Sequence, residues 1–206
     1  FSSTSSVYGA NKTLPFNEYH NTDSQLSIYA ATKKANESLI FSYAYGYKIP
    51  STVMRFFTVY GPYGRPDLAI YKFCKKILNN QAIEVYNKGN MYRDFTYVDD
   101  LVSCMFDLIK YPPIKKYSKL DTKHFIAPYR VLNMGNSNKV KLSKMIKLIE
   151  KYLNQKAKIK YLPMQKGDVV STDSDSSSLN SIIGKKPSTN IDQGLYSFIE
   201  WYKKSY

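Results

Sequence analysis

The chain has 206 residues, 43% hydrophobic and 15% aromatic, with a formal net charge of +14. That length and apolar content suit a globular chain with a full core and exclude a disordered or low-complexity one. No long apolar run and no basic, then apolar, start is present, so neither a membrane span nor a signal peptide is expected, and the protein reads as cytoplasmic.

Residues 1–8, "FSSTSSVY", read as the end of a strand, and a polar loop containing Pro15 follows. From about Leu26 the stretch "LSIYAATKKANESLIFSYAYG" has helical spacing through Ala30, Ala31, Ala35, Leu39 and Ile40, with Gly46 as its stop. "STVMRFFTVYG" is β-branched and aromatic and closes on Gly-Pro, which predicts a strand. Strand, helix and strand in this order give the βαβ rhythm of a parallel sheet.

Pro66 then opens a predicted helix, "PDLAIYKFCKKIL", with Pro in a first-turn position. A strand at "IEVYN", a turn at "KGN" and an extended "RDFTYV" follow. Asp99 or Asp100 is a candidate cap for a helix carrying Leu101, Met105, Leu108 and Ile109. Tyr111 to about Pro128 is rich in Lys and Pro and reads as a surface loop or insertion. "YRVLNMG" is strand-like, "KLSKMIKLIEKYL" is an amphipathic helix and "KIKYL" a short strand. "DSDSSS" is a polar loop or helix start, and "GLYSFIEWYKKSY" a closing helix that buries Phe198, Ile199 and Tyr202. No internal repeat is present.

Only four of the thirty basic residues are Arg (Arg55, Arg65, Arg93, Arg130), and Lys is spread along the whole length. The charge therefore reads as compositional bias, and no nucleic-acid partner is expected, although a polyanionic small molecule would be attracted. Cys74 and Cys104 have neither disulfide density nor metal-ligand spacing, and His20 and His124 stand alone, so no metal is expected. Each Cys falls in a helical pattern where a small buried residue fits.

Tyr29 and Lys33 form Tyr-x-x-x-Lys, a spacing that places both side chains on one helix face. An ammonium beside a phenol favours the phenolate, so such a Tyr could serve as a general acid and base. The spacing alone carries little weight, because it recurs at Tyr8/Lys12, Tyr71/Lys75, Tyr111/Lys115 and Tyr152/Lys156, where it reads as a solvated face. Context separates the first pair. The hydroxyl-rich strand end at Thr4 and the turn after "RFFTVYGP" both fall at the carboxyl ends of strands expected to be parallel, beside the helix of Tyr29.

The ordered segments "STSSVYG", "YAATKKANE", "RFFTVYGPYGRPD", "RDFTYVDD", "YRVLNMGNS" and "LPMQKGDV" resemble the extended short-chain dehydrogenase/reductase family, and within it the NAD-dependent UDP-glucuronate 4-epimerases. The resemblance implies an α/β fold: the late strands of a Rossmann-like parallel sheet plus a smaller mixed α/β substrate-binding domain. Residues 1–61 would be the carboxyl-terminal part of the NAD-binding domain. Residues 62–206 would form mainly the UDP-sugar-binding domain, with parts of about 94–112 and 131–136 returning to the first.

It implies a catalytic set of Thr4, Tyr29 and Lys33, with NAD as the cofactor. Tyr29 would take the proton from the sugar 4-hydroxyl, Lys33 would bind the nicotinamide ribose and hold down the Tyr29 pKa, and Thr4 would bridge the 4-oxygen. Phe56 and Val59 would join Tyr29 and Lys33 on the cofactor side. Ser5, Thr58, Arg65, Val85, Tyr86, Arg93, Gln165 and Asp168 would bind substrate: Arg93 the diphosphate, Asp168 the ribose, Val85 and Tyr86 the uracil wall, Thr58 and Arg65 the sugar end. Against this, Arg93 could simply pair with Asp94 or Asp99, and Thr58 and Tyr86 could be packing.

The implied reaction is 4-epimerisation of UDP-glucuronate to UDP-galacturonate through a 4-keto intermediate, in polysaccharide biosynthesis and by a homodimer. Ser5-Ser6 stand where 4,6-dehydratases and related decarboxylases carry acidic residues, which favours the epimerase, since serines cannot do that proton work near neutral pH. UDP-glucose or UDP-N-acetylhexosamine epimerisation, after them a 4,6-dehydratase, and a UDP-sugar-binding module without chemistry, are the alternatives. The family's Gly-rich dinucleotide turn is found nowhere in the 206 residues, so they read as the carboxyl-terminal part of the enzyme, inactive alone.

Overall fold

In the computed structural model, residues 1–114, 126–165 and 167–206 are described; most of the expected insertion at Tyr111–Pro128 lies outside them. Among the described residues, three small sheets organise the fold. The first is parallel throughout, in the order β1 (Ser2–Thr4), β2 (Ser51–Phe56), β6 (Tyr129–Met134). In the second, β5 (Tyr92–Tyr97) lies between β3 (Thr58–Tyr60), to which it is parallel, and β7 (Lys139–Lys141), to which it is antiparallel. The third pairs β4 (Ala82–Tyr86) with β8 (Lys158–Leu162).

The helices are α1 (Ile28–Tyr47), α2 (Ala69–Leu78), α3 (Val98–Leu108), α4 (Leu142–Leu153), α5 (Ser177–Ile183) and α6 (Ile191–Ser205). The largest core joins α2, α4 and α6 over the second and third sheets, through Ile77, Ile83, Val85, Met145, Ile149, Leu195, Phe198 and Ile199. A second joins α3 and α5 to β6 through Leu101, Cys104, Leu132, Met134 and Leu179. A third sets the far end of α1 on β2 and β6 through Ala44, Val53, Tyr129 and Val131. Among the described residues no helix is long and apolar enough to cross a membrane.

Four local expectations need correction. The opening strand ends at Thr4 because the Thr4 hydroxyl accepts the Ser6 N–H at 3.2 Å and turns Ser5–Tyr8 into a short 3-10 helix. "STVMRFFTVYG" is two strands, β2 and β3, which belong to different sheets and meet at buried Phe57. Pro66 precedes α2 without entering it, since the helix starts at Ala69. The cap position of α3 is Tyr97, and Asp99 and Asp100 lie in its first turn. Asp100 instead accepts the N–H groups of Ser188 and Thr189, at 2.8 and 2.7 Å, and so ties α3 to the segment before α6.

Candidate functional site

Parallel pairing in register, Thr4 opposite Phe56 and Phe56 opposite Met134, brings the carboxyl ends of β1, β2 and β6 to one side. At that side, Thr4 is buried and its hydroxyl caps the following turn. Helix α1 starts there because Ser27 accepts the Ala30 N–H at 3.2 Å, an N-cap that removes one orphan donor. Tyr29 sits in the first turn of α1 and is 55% exposed. One turn on, Lys33 donates from Nζ to the carbonyl of Ser2 at 3.0 Å and stands 6.0 Å from the centre of the Tyr29 ring. Tyr29 and Lys33 thus share one face of the helix over β1, with Thr4 two residues from the carbonyl that Lys33 holds.

A separate cavity of about 460 Å³ opens between β3, α2, β4, β5, α4 and α6, and it brings together Thr58, Arg65, Tyr86, Arg93, Gln165 and Asp168. At its wall, Arg93 donates from Nη2 to Asp168 Oδ1 at 2.7 Å and from Nη1 to its neighbour's carbonyl, Tyr92 O, at 2.9 Å. The Arg93 pair is therefore with Asp168, across the cavity wall, and not with Asp94 or Asp99. Burial pulls the Arg93 guanidinium down from its ordinary value against the opposing pull of the Asp168 charge. Arg65 grips Asp67 through both fork nitrogens, at 3.1 and 2.9 Å, on the exposed rim. This fork holds the Asp67 carboxyl below the usual carboxylate range.

Strand alternation separates Val85 from Tyr86. Val85 is 1% exposed inside the main core, while Tyr86 lines the cavity. Ser5 lies in the turn capped by Thr4, apart from the cavity lining. Phe56 packs on the α3–β6–α5 core, and Val59 reaches both that core and the cavity. Asp94 is wholly buried and accepts the N–H groups of Asn136, Ser137 and Ser174, at 2.8 to 3.0 Å, so it stitches β5 to two loops.

Several lining residues were not among the expected ones: Glu84 and Met91 carried no sequence signal, and Phe198 was expected only as core. Tyr60 lines the cavity as well, and its phenol is pushed well above its ordinary value by burial. A Cβ on Gly194 of α6 would stand 2.1 Å from the Tyr60 hydroxyl oxygen, so glycine is what lets this ring approach the helix. A buried Glu37–Arg55 pair beneath β1 was also missed, although a Glu in the small-residue stripe Ala30–Glu37–Ala44 and an Arg inside an apolar strand were visible signals. Among the described residues no group of three or more His, Cys, Asp or Glu side chains is placed to hold a metal. Cys74 and Cys104 are buried, and burial pushes the Cys74 thiol up to about 12.

Residues 1–117 match the profile of the NAD dependent epimerase/dehydratase family. Protein CapI of Staphylococcus aureus is 47% identical over 210 residues, which cover 100% of this chain and 63% of that protein. A probable UDP-glucuronate 4-epimerase of Rhizobium meliloti is 44% identical over 209 residues, covering 99% and 61%. Among solved structures, UDP-glucuronic acid 4-epimerase from Bacillus cereus, in complex with UDP-glucuronic acid and NAD, superposes with a TM-score of 0.86 at 29% identity, covering 100% of this chain and 61% of that one. The chain thus spans about three fifths of the length of these relatives.

Proposed function

The chain belongs to the NAD-dependent epimerase/dehydratase family, and on that premise we propose that its full-length protein inverts C4 of a UDP-sugar, with UDP-glucuronate as the substrate. The observation that carries this reading is the placement of Thr4, Tyr29 and Lys33 together at the carboxyl ends of a parallel sheet, with a separate cavity lined by Arg65, Lys72, Lys76 and Arg93 in the same chain.

Tyr29 takes the proton of the 4-hydroxyl and later returns it to the 4-oxygen on the inverted carbon. Thr4, at the strand end, holds that oxygen in line. Lys33 orients Tyr29 and has ammonium donors to offer a ribose hydroxyl besides the one spent on Ser2. These three hydroxyl and ammonium groups suit the nicotinamide-ribose end of NAD; nothing among them suits its pyrophosphate. NAD, when bound, supplies the reversible hydride acceptor that an inversion at C4 requires.

Arg93 takes the diphosphate, Asp168 the ribose and Tyr86 the uracil face, while Gln165 and Thr58 add hydrogen bonds. Arg65 is the group for the C6 carboxylate of the sugar. Its fork already fits the Asp67 carboxylate, and exchanging one carboxylate for another at an exposed pair costs little. In this reading residues 1–61 complete the NAD-binding domain and most of 62–206 hold the UDP-sugar. Homodimerisation through α1 belongs to the same reading, supported by Ile28, Leu39, Tyr43 and Tyr47 on its solvent face.

The test is to incubate the full-length protein with UDP-glucuronate, UDP-glucose and UDP-N-acetylglucosamine and to follow the 4-epimers by NMR. UDP-galacturonate forming fastest is the expected result. A higher kcat/KM on a neutral sugar would overturn the choice of substrate, and UDP binding without turnover of any of the three would favour the binding module.

A further inference from the structure

Helix α1 carries the proposed acid–base pair, yet its attachment to the sheet is uneven. Of its twenty residues only Ala30, Glu37 and Ala44 are fully buried, seven apart along one stripe. Towards the carboxyl end, Ile40 and Phe41 add apolar contact against the cluster of Tyr129 and Val131. Towards the amino end, where Tyr29 and Lys33 stand, the buried contacts are the methyl of Ala30 and the carboxylate of Glu37. A methyl group allows close approach but does not interlock, so it resists sliding poorly.

Glu37 supplies what Ala30 does not. Its Oε1 accepts the Ser3 hydroxyl at 2.6 Å and Arg55 Nε at 3.0 Å, and its Oε2 accepts Arg55 Nη2 at 2.9 Å. One side chain of α1 is thereby bonded to β1, at the residue beside Thr4, and to β2. Arg55 in turn lies 4.9 Å over the ring of Tyr8, in the turn that Thr4 caps. Tyr8 stacks on Phe16 at 4.5 Å and donates to Asn133 Oδ1 of β6 at 2.7 Å. The network therefore runs from α1 through Ser3, beside Thr4, and through Tyr8, in the turn that Thr4 caps, to all three strands of the sheet.

Stability alone is a poor reason for such a network. Glu37 and Arg55 are 4% and 3% exposed, and Arg55 Nη1 is buried without a hydrogen-bond partner among the described residues. Desolvating two charges offsets most of their attraction, and an apolar pair of similar volume commonly does as well or better. What an apolar pair does not provide is direction: three short bonds fix the rotation and axial position of the helix.

We propose that Glu37 and Arg55 are positioning residues, whose buried pair sets α1 in register on the sheet so that Tyr29 and Lys33 face Thr4. The proposal rests on the function proposed above. By helix geometry Glu37 lies about 6 Å along the axis from Lys33 and about 12 Å from Tyr29, close enough for a slip at the anchor to reach both.

The deciding variants, made in the full-length protein, are the double substitution E37M/R55M and the single substitution R55K. Expected for E37M/R55M is a melting temperature equal to or above that of the unsubstituted protein and a KM for UDP-glucuronate within about twofold. With these, kcat falls by about 30- to 100-fold, the order of loss that a displacement of about 1 Å produces. Amide hydrogen exchange should quicken at residues 28–36 and stay unchanged in β2 and β6. R55K, which keeps the charge but loses the fork, should recover only part of kcat.

An E37M/R55M protein with undiminished kcat overturns the proposal. So does a parallel loss of kcat, melting temperature and exchange protection across the whole sheet, which would make the pair a plain stability element. If the unsubstituted protein turns over no UDP-sugar, the functional reading fails by itself, and the exchange pattern still decides whether the pair holds the register of α1.

Discussion

Around Arg93 the chain builds a cavity from six elements, whereas around Tyr29 it sets three side chains at the carboxyl ends of a sheet. The Arg93 side chain is 18% exposed and already paired with a carboxylate; Tyr29 is 55% exposed. In the proposed function these surfaces do two kinds of work. The cavity would bind by enclosure and charge, with Arg93 and Asp168 already holding one another in place. The strand ends would do the proton work, with precision from the layer beneath, where Glu37, Arg55 and Tyr8 tie helix to strands. Binding and chemistry should therefore fail separately.

The largest effect expected from that separation is at Tyr29. Tyr29→Phe in the full-length protein removes the proposed acid–base hydroxyl and should lower kcat by about 10³-fold or more. UDP affinity, measured by calorimetry, should stay within about twofold, because Tyr29 is apart from the cavity lining. Simultaneous loss of UDP binding would break the comparison and mean that the role of Tyr29 is wrongly assigned.

Arg93→Met tests the other half. A charge-assisted hydrogen bond to a diphosphate is worth about 1.5 to 3 kcal/mol, so UDP should bind roughly 10- to 100-fold more weakly. Asp168 would be left without the guanidinium that now holds it at 2.7 Å, which adds to the loss. The same calorimetric titration on the 206-residue chain should show UDP binding, since the cavity is lined wholly by its residues. Unchanged UDP affinity in the Arg93 variant would remove the diphosphate from this cavity.

Gly194→Ala sharpens the picture of how the cavity is walled. The added methyl would stand 2.1 Å from the Tyr60 hydroxyl oxygen, and Tyr60 is packed edge-on against both Phe95 and Tyr97, at 5.9 and 5.7 Å. With Phe95 and Tyr97 against the ring, the overpacking should cost about 1 to 3 kcal/mol in urea unfolding. It should also weaken UDP binding by displacing Tyr60 into the cavity. A variant as stable as the parent would mean that α6 gives way more easily than this packing implies.

The two regions also differ in how much of them could be read from the sequence. Helix α1 and β2 were legible because their periodicities are regular, although α1 runs through the expected stop at Gly46 to Tyr47 and β2 ends at Phe56. The proposed site residues came from the family resemblance rather than from spacing, since Tyr-x-x-x-Lys recurs at four other places in the chain. The split between β2 and β3 was not legible, since "STVMRFFTVYG" is one apolar run and only tertiary pairing assigns its halves to different sheets. The Asp100 contact was missed for a similar reason. A first-turn Asp looks like a cap, but its partners, Ser188 and Thr189, lie 88 and 89 residues away. The lining of the cavity by Glu84 and Phe198, and the partner of Arg93, depend on which segments meet in space, which local pattern does not encode.

The smallest effect concerns the seam that carries the opening loop onto β6, and its sign is the informative part. Glu18 is 8% exposed and accepts the Asn133 N–H at 2.8 Å. Burial is the main cause that raises its carboxyl above the ordinary Glu value, and the nearby charge of Asp175 acts in the same direction, against the Asn133 bond. A raised folded-state pKa means that the native chain holds this proton more tightly than the unfolded chain. The contribution of Glu18 to stability therefore declines as pH rises from its ordinary value through the raised one, and is level above it. Glu18→Gln keeps an oxygen to accept the Asn133 bond and removes the titration. At pH 7 it should change stability by about 1 kcal/mol or less in either direction. As pH falls toward the carboxyl range, the unsubstituted protein should gain on the variant in paired urea titrations. A constant difference across that range would mean that the buried carboxyl is not raised, and a gain by the variant at acid pH would mean that the Asn133 bond outweighs burial.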